Sequence, residues 1–301
     1  MQRRYVTVDV FTDRAFGGNP LAVVLDFVGL STEQMQAIAT EFNYAETTFV
    51  LPPRDPAHDA EVRIFTVRSE IPFAGHPNVG TAFVLASRAD RAPERLLFEE
   101  KAGLVPVEIL KTSGKITGAE LTAPQPLKRL ITRMDAEQAA ACISLSSADI
   151  RTERHPPHVI SVGMPFLALE VASRDALRRA KPNAESFART FPCEGSDAIF
   201  FYTRDVPASE KPCDLQARMF HPGSSGLLED PATGSAAAAA AALFADIDPV
   251  RDGELKLQIG QGFDLGRPSF LLTRVLKRDG KVVSAHVGGC CVPMMEGTFS
   301  L

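Results

Sequence analysis

The chain lacks the raw material for several common kinds of protein. Its 301 residues include five cysteines, Cys142, Cys193, Cys213, Cys290 and Cys291, an odd number with no C-x-x-C spacing. That argues against a disulfide framework and against a structural zinc site, and leaves buried or inert thiols. Adjacent strand residues face opposite ways, so the Cys290–Cys291 pair is not expected to act as one redox element. No run of Lys or Arg stands out, and 37 acidic residues against 32 basic ones give a net charge of −5. Nucleic acid and anionic membrane surfaces are therefore not expected as partners. No apolar stretch approaches the roughly 20 residues a bilayer span needs. The start, Met1 to Val6, runs into an alternating strand pattern instead of a signal peptide, which leaves the cytoplasm as the expected location. A phosphate-binding G-x-x-x-x-G-K-S/T and a G-x-S-x-G nucleophile elbow are both missing. Gly260 to Gly266 only faintly resembles a dinucleotide loop, because Arg267-Pro268 and Phe270-Leu271-Leu272 continue as strand where a helix is needed. His155-Pro156-Pro157-His158 has no helix to align two imidazoles on a metal.

What the chain does have is 45% hydrophobic residues, enough for a well-buried globular protein, and a length suited to two domains of about 150 residues each. It also has an internal repeat. Glu70-Ile71-Pro72-Phe73-Ala74-Gly75-His76-Pro77 leads into Asn78 to Ala86; Glu229-Asp230-Pro231-Ala232-Thr233-Gly234-Ser235 leads into seven alanines, Leu243, Phe244 and Ala245. Glu70 and Glu229, Pro72 and Pro231, Gly75 and Gly234, and Ala86 and Ala245 all stand 159 residues apart. Neither following segment, 78–86 or 236–245, carries a charge, so each predicts a helix buried on all sides. Pro77 is read at the first helical position, where a missing N–H costs little.

The repeat extends further. Gly18-Asn19-Pro20-Leu21 resembles Gly163-Met164-Pro165-Phe166, and Arg63-Ile64-Phe65 mirrors Arg218-Met219-Phe220. A helical pattern from Ser31 to Phe42, with Ser31 or Thr32 as N-cap, precedes a strand at Glu46–Leu51. Its counterpart is a pattern from Ser173 to Phe191, broken near Pro182, before a strand at Asp197–Tyr202. The order strand, helix, strand, strand, turn, helix thus occurs twice, predicting two similar domains related by a pseudo-two-fold axis. A Pro-marked linker at Thr122 to Pro126 separates them. Two last strands, Val282–Val287 and Gly289–Met294, lie beyond the second repeat, and the tail is expected to return to the first domain. The expected domains are residues 1–122 plus about 287–301, and residues 123–286.

A glycine turn at a helix start exposes unpaired N–H groups at the positive end of the helix dipole. Two such ends facing each other in a cleft would suit a small carboxylate or phosphate. Gly75 and Gly234 are either plain turn glycines or points of close backbone approach to that ligand. Glu46 heads an otherwise apolar or Thr-bearing strand. It is a strand-entry Glu facing water, or a carboxylate whose pKa is raised by a buried sheet and which serves as general acid/base. His76 reads as a cap or packing histidine, and Asp230 as Asp-Pro turn chemistry, if neither serves catalysis.

On these residues the chain resembles the phenazine-biosynthesis isomerase family, of the diaminopimelate-epimerase fold. The matching segments are Val8 to Thr12 with Phe16 to Pro20, Ala45 to Phe49, Phe73 to Pro77, Glu229 to Ala236, Gln261-Gly262 with Gly266 to Ser269, and Val287 to Gly289. The resemblance implies an α+β fold of two pseudo-symmetric domains. Each is a barrel-like, mostly antiparallel sheet around a central helix, with the site between them. It implies no cofactor and frequent homodimers. Related epimerases place a catalytic thiol at the start of each central helix. Here Gly75 and Gly234 stand there, so two-thiol racemisation is not available. The resemblance instead makes Glu46 the proton shuttle, with His76 and Asp230 beside it. Asn19, Gly75, Pro77, Gly234 and Ser235 then bind a small carboxylate-bearing substrate. Asn78 stands where the family often has Thr, and the loop His221 to Leu228 is of a kind that lines the pocket, which points to a different substrate. The expected activity is a cofactor-independent isomerase. A binding protein that keeps the anion site without chemistry is the rival expectation.

Overall fold

The computed structural model describes residues 2–130, 132–210, 212–223 and 226–301. The chain divides into two compact units, Met1–Thr122 with Gly288–Leu301, and Ala123–Val287.

The first unit contains β1 (Gln2–Val10), β2 (Asn19–Val24), α1 (Thr32–Phe42), β3 (Glu46–Leu51), β4 (Ala60–Thr66), β5 (Glu70–Ile71), α2 (Gly75–Arg88), β6 (Arg95–Glu100), β7 (Gly103–Thr112) and β8 (Lys115–Thr122). It also takes residues 288–300 of the chain's last strand, Lys281–Ser300. β1 pairs antiparallel with that strand and with β2; β2 runs parallel to β3, β3 antiparallel to β4, β4 parallel to β6, and β6, β7 and β8 continue antiparallel. β8 meets the last strand and closes the ring. Glycine permits that closure: a Cβ on Gly118 would collide with the Gly289 carbonyl.

Inside the ring lies α2, buried from Gly75 through Val84 and again at Ala86, against β8, β1, β2, β7 and β3. Gly80 lets it approach the sheet, since a Cβ there would lie 2.6 Å from Leu21 and 2.8 Å from Val10. α1 covers the outer face over Val24, Phe49 and Phe65. Ser31 is its N-cap, joined to Gln34 in a reciprocal capping box.

The second unit contains β9 (Lys128–Leu130), α3 (Ala136–Cys142), β10 (Ile150–Arg151), β11 (His158–Ser161), β12 (Pro165–Val171), α4 (Arg174–Arg179), α5 (Ala184–Thr190), β13 (Ile199–Thr203), β14 (Leu215–Gly223), β15 (Gly226–Glu229), α6 (Gly234–Ile247), β16 (Gly253–Gln261) and β17 (Ser269–Arg278), and enters β18 (Lys281–Ser300). Its pairings repeat the senses found in the first unit: β11/β12 antiparallel, β12/β13 parallel, β13/β14 antiparallel, β14/β16 parallel and β16/β17 antiparallel. α6 occupies the place of α2; Ala236 through Leu243 are at most 1% exposed.

Even the hairpin turns match. Ser113-Gly114 between β7 and β8 has φ of 51° and 77°, and Asp279-Gly280 between β17 and β18 has 50° and 77°. Both are type I′ geometry, which suits the twist of paired strands.

Two expectations need correcting. The central helices begin earlier than their apolar runs, at Gly75 and Gly234, so Pro77 is the third helical residue and not the first. Its missing N–H is still among the four that no helix pairs internally. The two expected C-terminal strands are one continuous strand, β18. The 173–191 pattern breaks as expected, into two short helices with Pro182 in the gap between them.

Candidate functional site

Parallel pairing fixes the polar end of the first unit. β2 and β3 run side by side with Leu21 opposite Glu46, which brings the starts of both strands to one edge of the sheet. Asn19 is the first residue of β2, Glu46 the first of β3, and the N-terminus of α2 meets them there. His76 lies between: its Nε2 is 3.3 Å from Glu46 Oε2, and its Nδ1 is 3.4 Å from Asn19 Nδ2. Asn19 is fully buried, His76 is 6% exposed, and the Glu46 side chain keeps 18% of its surface. Burial holds the His76 pKa down at about 3, so the ring is neutral at physiological pH. With the Asn19 amide donating to Nδ1, the ring proton belongs on Nε2, which lies close to the Glu46 carboxylate without hydrogen-bond alignment to it. The arrangement is a part-exposed carboxylate beside a neutral imidazole donor.

In the second unit the polar network is different. Asp230 Oδ2 accepts from the Thr233 hydroxyl at 2.6 Å. Gln261 Nε2 donates to Thr233 Oγ1 at 3.0 Å and to the Asp230 carbonyl at 2.8 Å, and Gln261 Oε1 accepts from Thr233 N at 3.0 Å. Ser269 donates to the Pro231 carbonyl at 2.9 Å. The turn ahead of α6 is thereby fixed from two neighbouring strands, and Asp230 with it.

The helix ends set the two central helices apart. Ser31, Asp135, Ser173 and Asn183 each cap their helix with a side-chain oxygen. The N-caps of the two central helices, Ala74 and Thr233, make no side-chain cap bond. Capping side chains satisfy the first N–H groups of a helix. At α2 and α6 no N-cap side chain does this.

Sequence reasoning had Glu46, His76 and Asn19, and the structure brings these three together with Gly75 and Pro77 in the same turn. Asp230, Gly234 and Ser235 gather at the start of α6. It missed Thr233 and Gln261 as the groups that fix Asp230. The quoted Gln261-Gly262 segment held the clue, but only the fold sets it against residues 230–233. It also missed Glu100. Side by side on β6, Glu99 and Glu100 meet opposite fates. Backbone N–H groups of Asp55 and Arg54, with His58, hold Glu99 down to about 2, while burial pushes Glu100 up to about 8. Nothing in Phe98-Glu99-Glu100-Lys101 distinguishes them except strand alternation.

Ser224 and Ser225 of the expected pocket loop lie outside the described residues; on either side of them β14 pairs with β15. Cys142, Cys193, Cys213 and Cys291 are buried and Cys290 half-buried, none at a central-helix start. His155 bonds the Tyr202 hydroxyl at 2.6 Å, and His158 neighbours Arg129. Among the described residues no cluster of three or more His, Cys, Asp or Glu could hold a metal, and no helix is long and apolar enough to cross a membrane.

Comparison with known proteins identifies the family and the fold. The profile of the family described as phenazine biosynthesis-like protein matches residues 8–297. An uncharacterized isomerase of Mesorhizobium japonicum is 38% identical, the match covering 98% of each chain. The trans-2,3-dihydro-3-hydroxyanthranilate isomerase of Pseudomonas chlororaphis is 33% identical over 99% of each. The crystal structure of a Bacillus anthracis phenazine biosynthesis protein of the PhzF family superposes with a TM-score of 0.88, at 26% identity over the whole of both chains.

Proposed function

The chain belongs to the phenazine biosynthesis-like family of isomerases, and on that premise we propose that it moves a proton between carbons of a small carboxylate-bearing substrate, without a cofactor. The observation that carries this reading is the contact between Glu46 and a buried, neutral His76 at the uncapped start of α2.

In the proposed reaction the Glu46 carboxylate takes a proton from a substrate C–H. The electron pair of that bond enters the adjoining unsaturated system, and the same proton returns from Glu46 to another carbon. Nothing is oxidised or reduced. The His76 N–H, close to Glu46, offers it a hydrogen bond during the reaction without changing its own charge. The backbone N–H groups at Gly75 and His76 hold the substrate carboxylate and oppose the negative charge that develops. Asp230, Gly234 and Ser235 enter the proposal as functional residues of the second unit, Asp230 because Thr233 and Gln261 fix it. A cytoplasmic homodimer completes the reading, and light scattering of the purified protein tests the dimer.

The substrate name carried by the Pseudomonas relative makes trans-2,3-dihydro-3-hydroxyanthranilate the first compound to test. Proton NMR in D2O across a panel of small unsaturated carboxylates should show isomerisation, or deuterium entering a carbon position. Tight binding of panel members with neither signal would instead favour a carboxylate-binding protein.

A further inference from the structure

The strongest group outside this chemistry is Glu100, the last residue of β6. It is 6% exposed, and neither of its carboxyl oxygens has a hydrogen-bond partner among the described residues. The strand turn that follows it is tied to the entry of α2, where Ala102 N donates to the Pro72 carbonyl at 3.2 Å. The side chain that acts on Glu100 is Asn78, itself fully buried in the first turns of α2. Asn78 Nδ2 already donates to the Ala74 carbonyl at 3.0 Å, while Asn78 Oδ1 is buried and unpaired.

Three buried acceptor atoms thus share a neighbourhood with a single amide NH2 group, one of whose two N–H bonds already goes to Ala74. Buried acceptors without donors are costly, and a bare buried carboxylate more so. A single proton resolves the shortage. On Glu100 it neutralises the carboxyl and creates an O–H donor for the Asn78 amide oxygen.

We propose that Glu100 is a positioning residue: a neutral carboxylic acid that hydrogen-bonds Asn78 and so fixes the Ala74–Asn78 turn, which presents His76 and the uncapped N–H groups of α2. Its functional consequence rests on the isomerase reading; its protonation does not. No charged group acts on Glu100 from β4, β7 or α2; burial raises its pKa to about 8 and Asn78 alone opposes this. In the unfolded chain Glu100 would lose its proton near the ordinary glutamate value. The folded state therefore holds one more proton between about pH 4.5 and 8, and stability drains away as pH rises through that window.

Two readouts test this without a substrate. His76 stays neutral well below pH 7, so a titration step in its ring proton resonances near pH 8 reports Glu100 through Asn78. Wild-type protein should show the step and Glu100→Gln should lack it. The melting temperature of Glu100→Gln relative to wild type should climb steadily from pH 5 to pH 8. A step that persists in Glu100→Gln, or melting curves that keep a constant offset, would overturn the proposal. If Glu100→Gln does not fold, Asn78→Leu serves: it removes the side chain that links Glu100 to the Ala74–Asn78 turn, so the His76 step near pH 8 should vanish. A His76 step that persists in folded Asn78→Leu would contradict the proposal. Glu46→Gln leaves both readouts in place, which separates failure here from failure of the catalytic reading.

Discussion

The two units share a chain of strand senses, a buried central helix and a type I′ hairpin, yet at the open end of that helix they carry opposite equipment. The first unit has Asn19, Glu46 and His76; the second has Met164 beside β12, Ala198 just ahead of β13, and Ser235 in the place of His76. Conversely, the second has Asp230 and Thr233 where the first has Ile71 and Ala74. What both retain is the uncapped glycine start. The shared part is what the fold and the proposed anion binding need, and the divergent part is where the proposed proton chemistry would be specialised.

The largest predicted difference concerns an ion pair present in both units. Arg218 forms a two-pronged pair with Glu229, at 2.8 and 2.7 Å, and also donates to the Leu177 and Ala180 carbonyls; both partners are buried or nearly so. Arg63 and Glu70 form the same pair at 2.8 Å, but the Arg63 side chain is 20% exposed and Lys101 shares the carboxylate. Removing one partner of a buried pair strands the other charge, at about 3–5 kcal/mol. Glu229→Ala should therefore cost that much in chemical denaturation. Glu70→Ala should cost about half, because water can reach Arg63. Equal losses would break the comparison.

His76 has no titrating counterpart in the second unit. Its folded-state pKa lies below the unfolded value of 6.5, so its contribution to stability is full above about pH 6.5 and is lost as pH falls toward 3. Between pH 6.5 and 5 this should amount to a loss on the order of 1–2 kcal/mol in wild type that His76→Gln does not show. Parallel pH curves for the two proteins would mean that the imidazole is not buried neutral. The same neutrality predicts no His76 step near pH 6.5 in the rate profile.

Gly75→Val and Gly234→Val sharpen the shared feature. Each places a side chain where an anion would approach, and should weaken carboxylate binding about tenfold or more, or ~1.4 kcal/mol, with a smaller effect on folding. If only one of them matters, only one helix end binds anions. The smallest effect expected is none: EDTA and mild thiol alkylation should leave turnover unchanged. Loss on EDTA restored by one metal would refute the cofactor-free reading.

The fold was legible because its signals are local and repeated. Charge-free runs after Gly75 and Gly234 announce helices buried on every side, and the 159-residue spacing announces the duplication. The polar residues that the structure gathers at the two helix starts were legible too, since Glu46, His76 and Asp230 sit in short, distinctive segments. What escaped reading depends on distant contacts. Gln261 reaches Thr233 only because β16 passes the start of α6, and Glu100 differs from Glu99 only by the face of β6 it occupies. Burial clearly raises the carboxyl of Glu100, which no local pattern singled out, while Glu46 keeps part of its side chain exposed. The early helix starts were missed because glycine and proline normally punctuate helices, and here they lie within the first turn.

The central claim is that the first unit's carboxylate carries the proton. It is tested most directly by the turnover of Glu46→Gln on a carboxylate that wild type isomerises, followed by proton NMR at matched folded concentration. The amide keeps the shape and cannot shuttle a proton, so turnover should fall by about 10²–10⁴-fold while the melting temperature stays near that of wild type. A folded Glu46→Gln protein that isomerises at close to the wild-type rate would contradict the account.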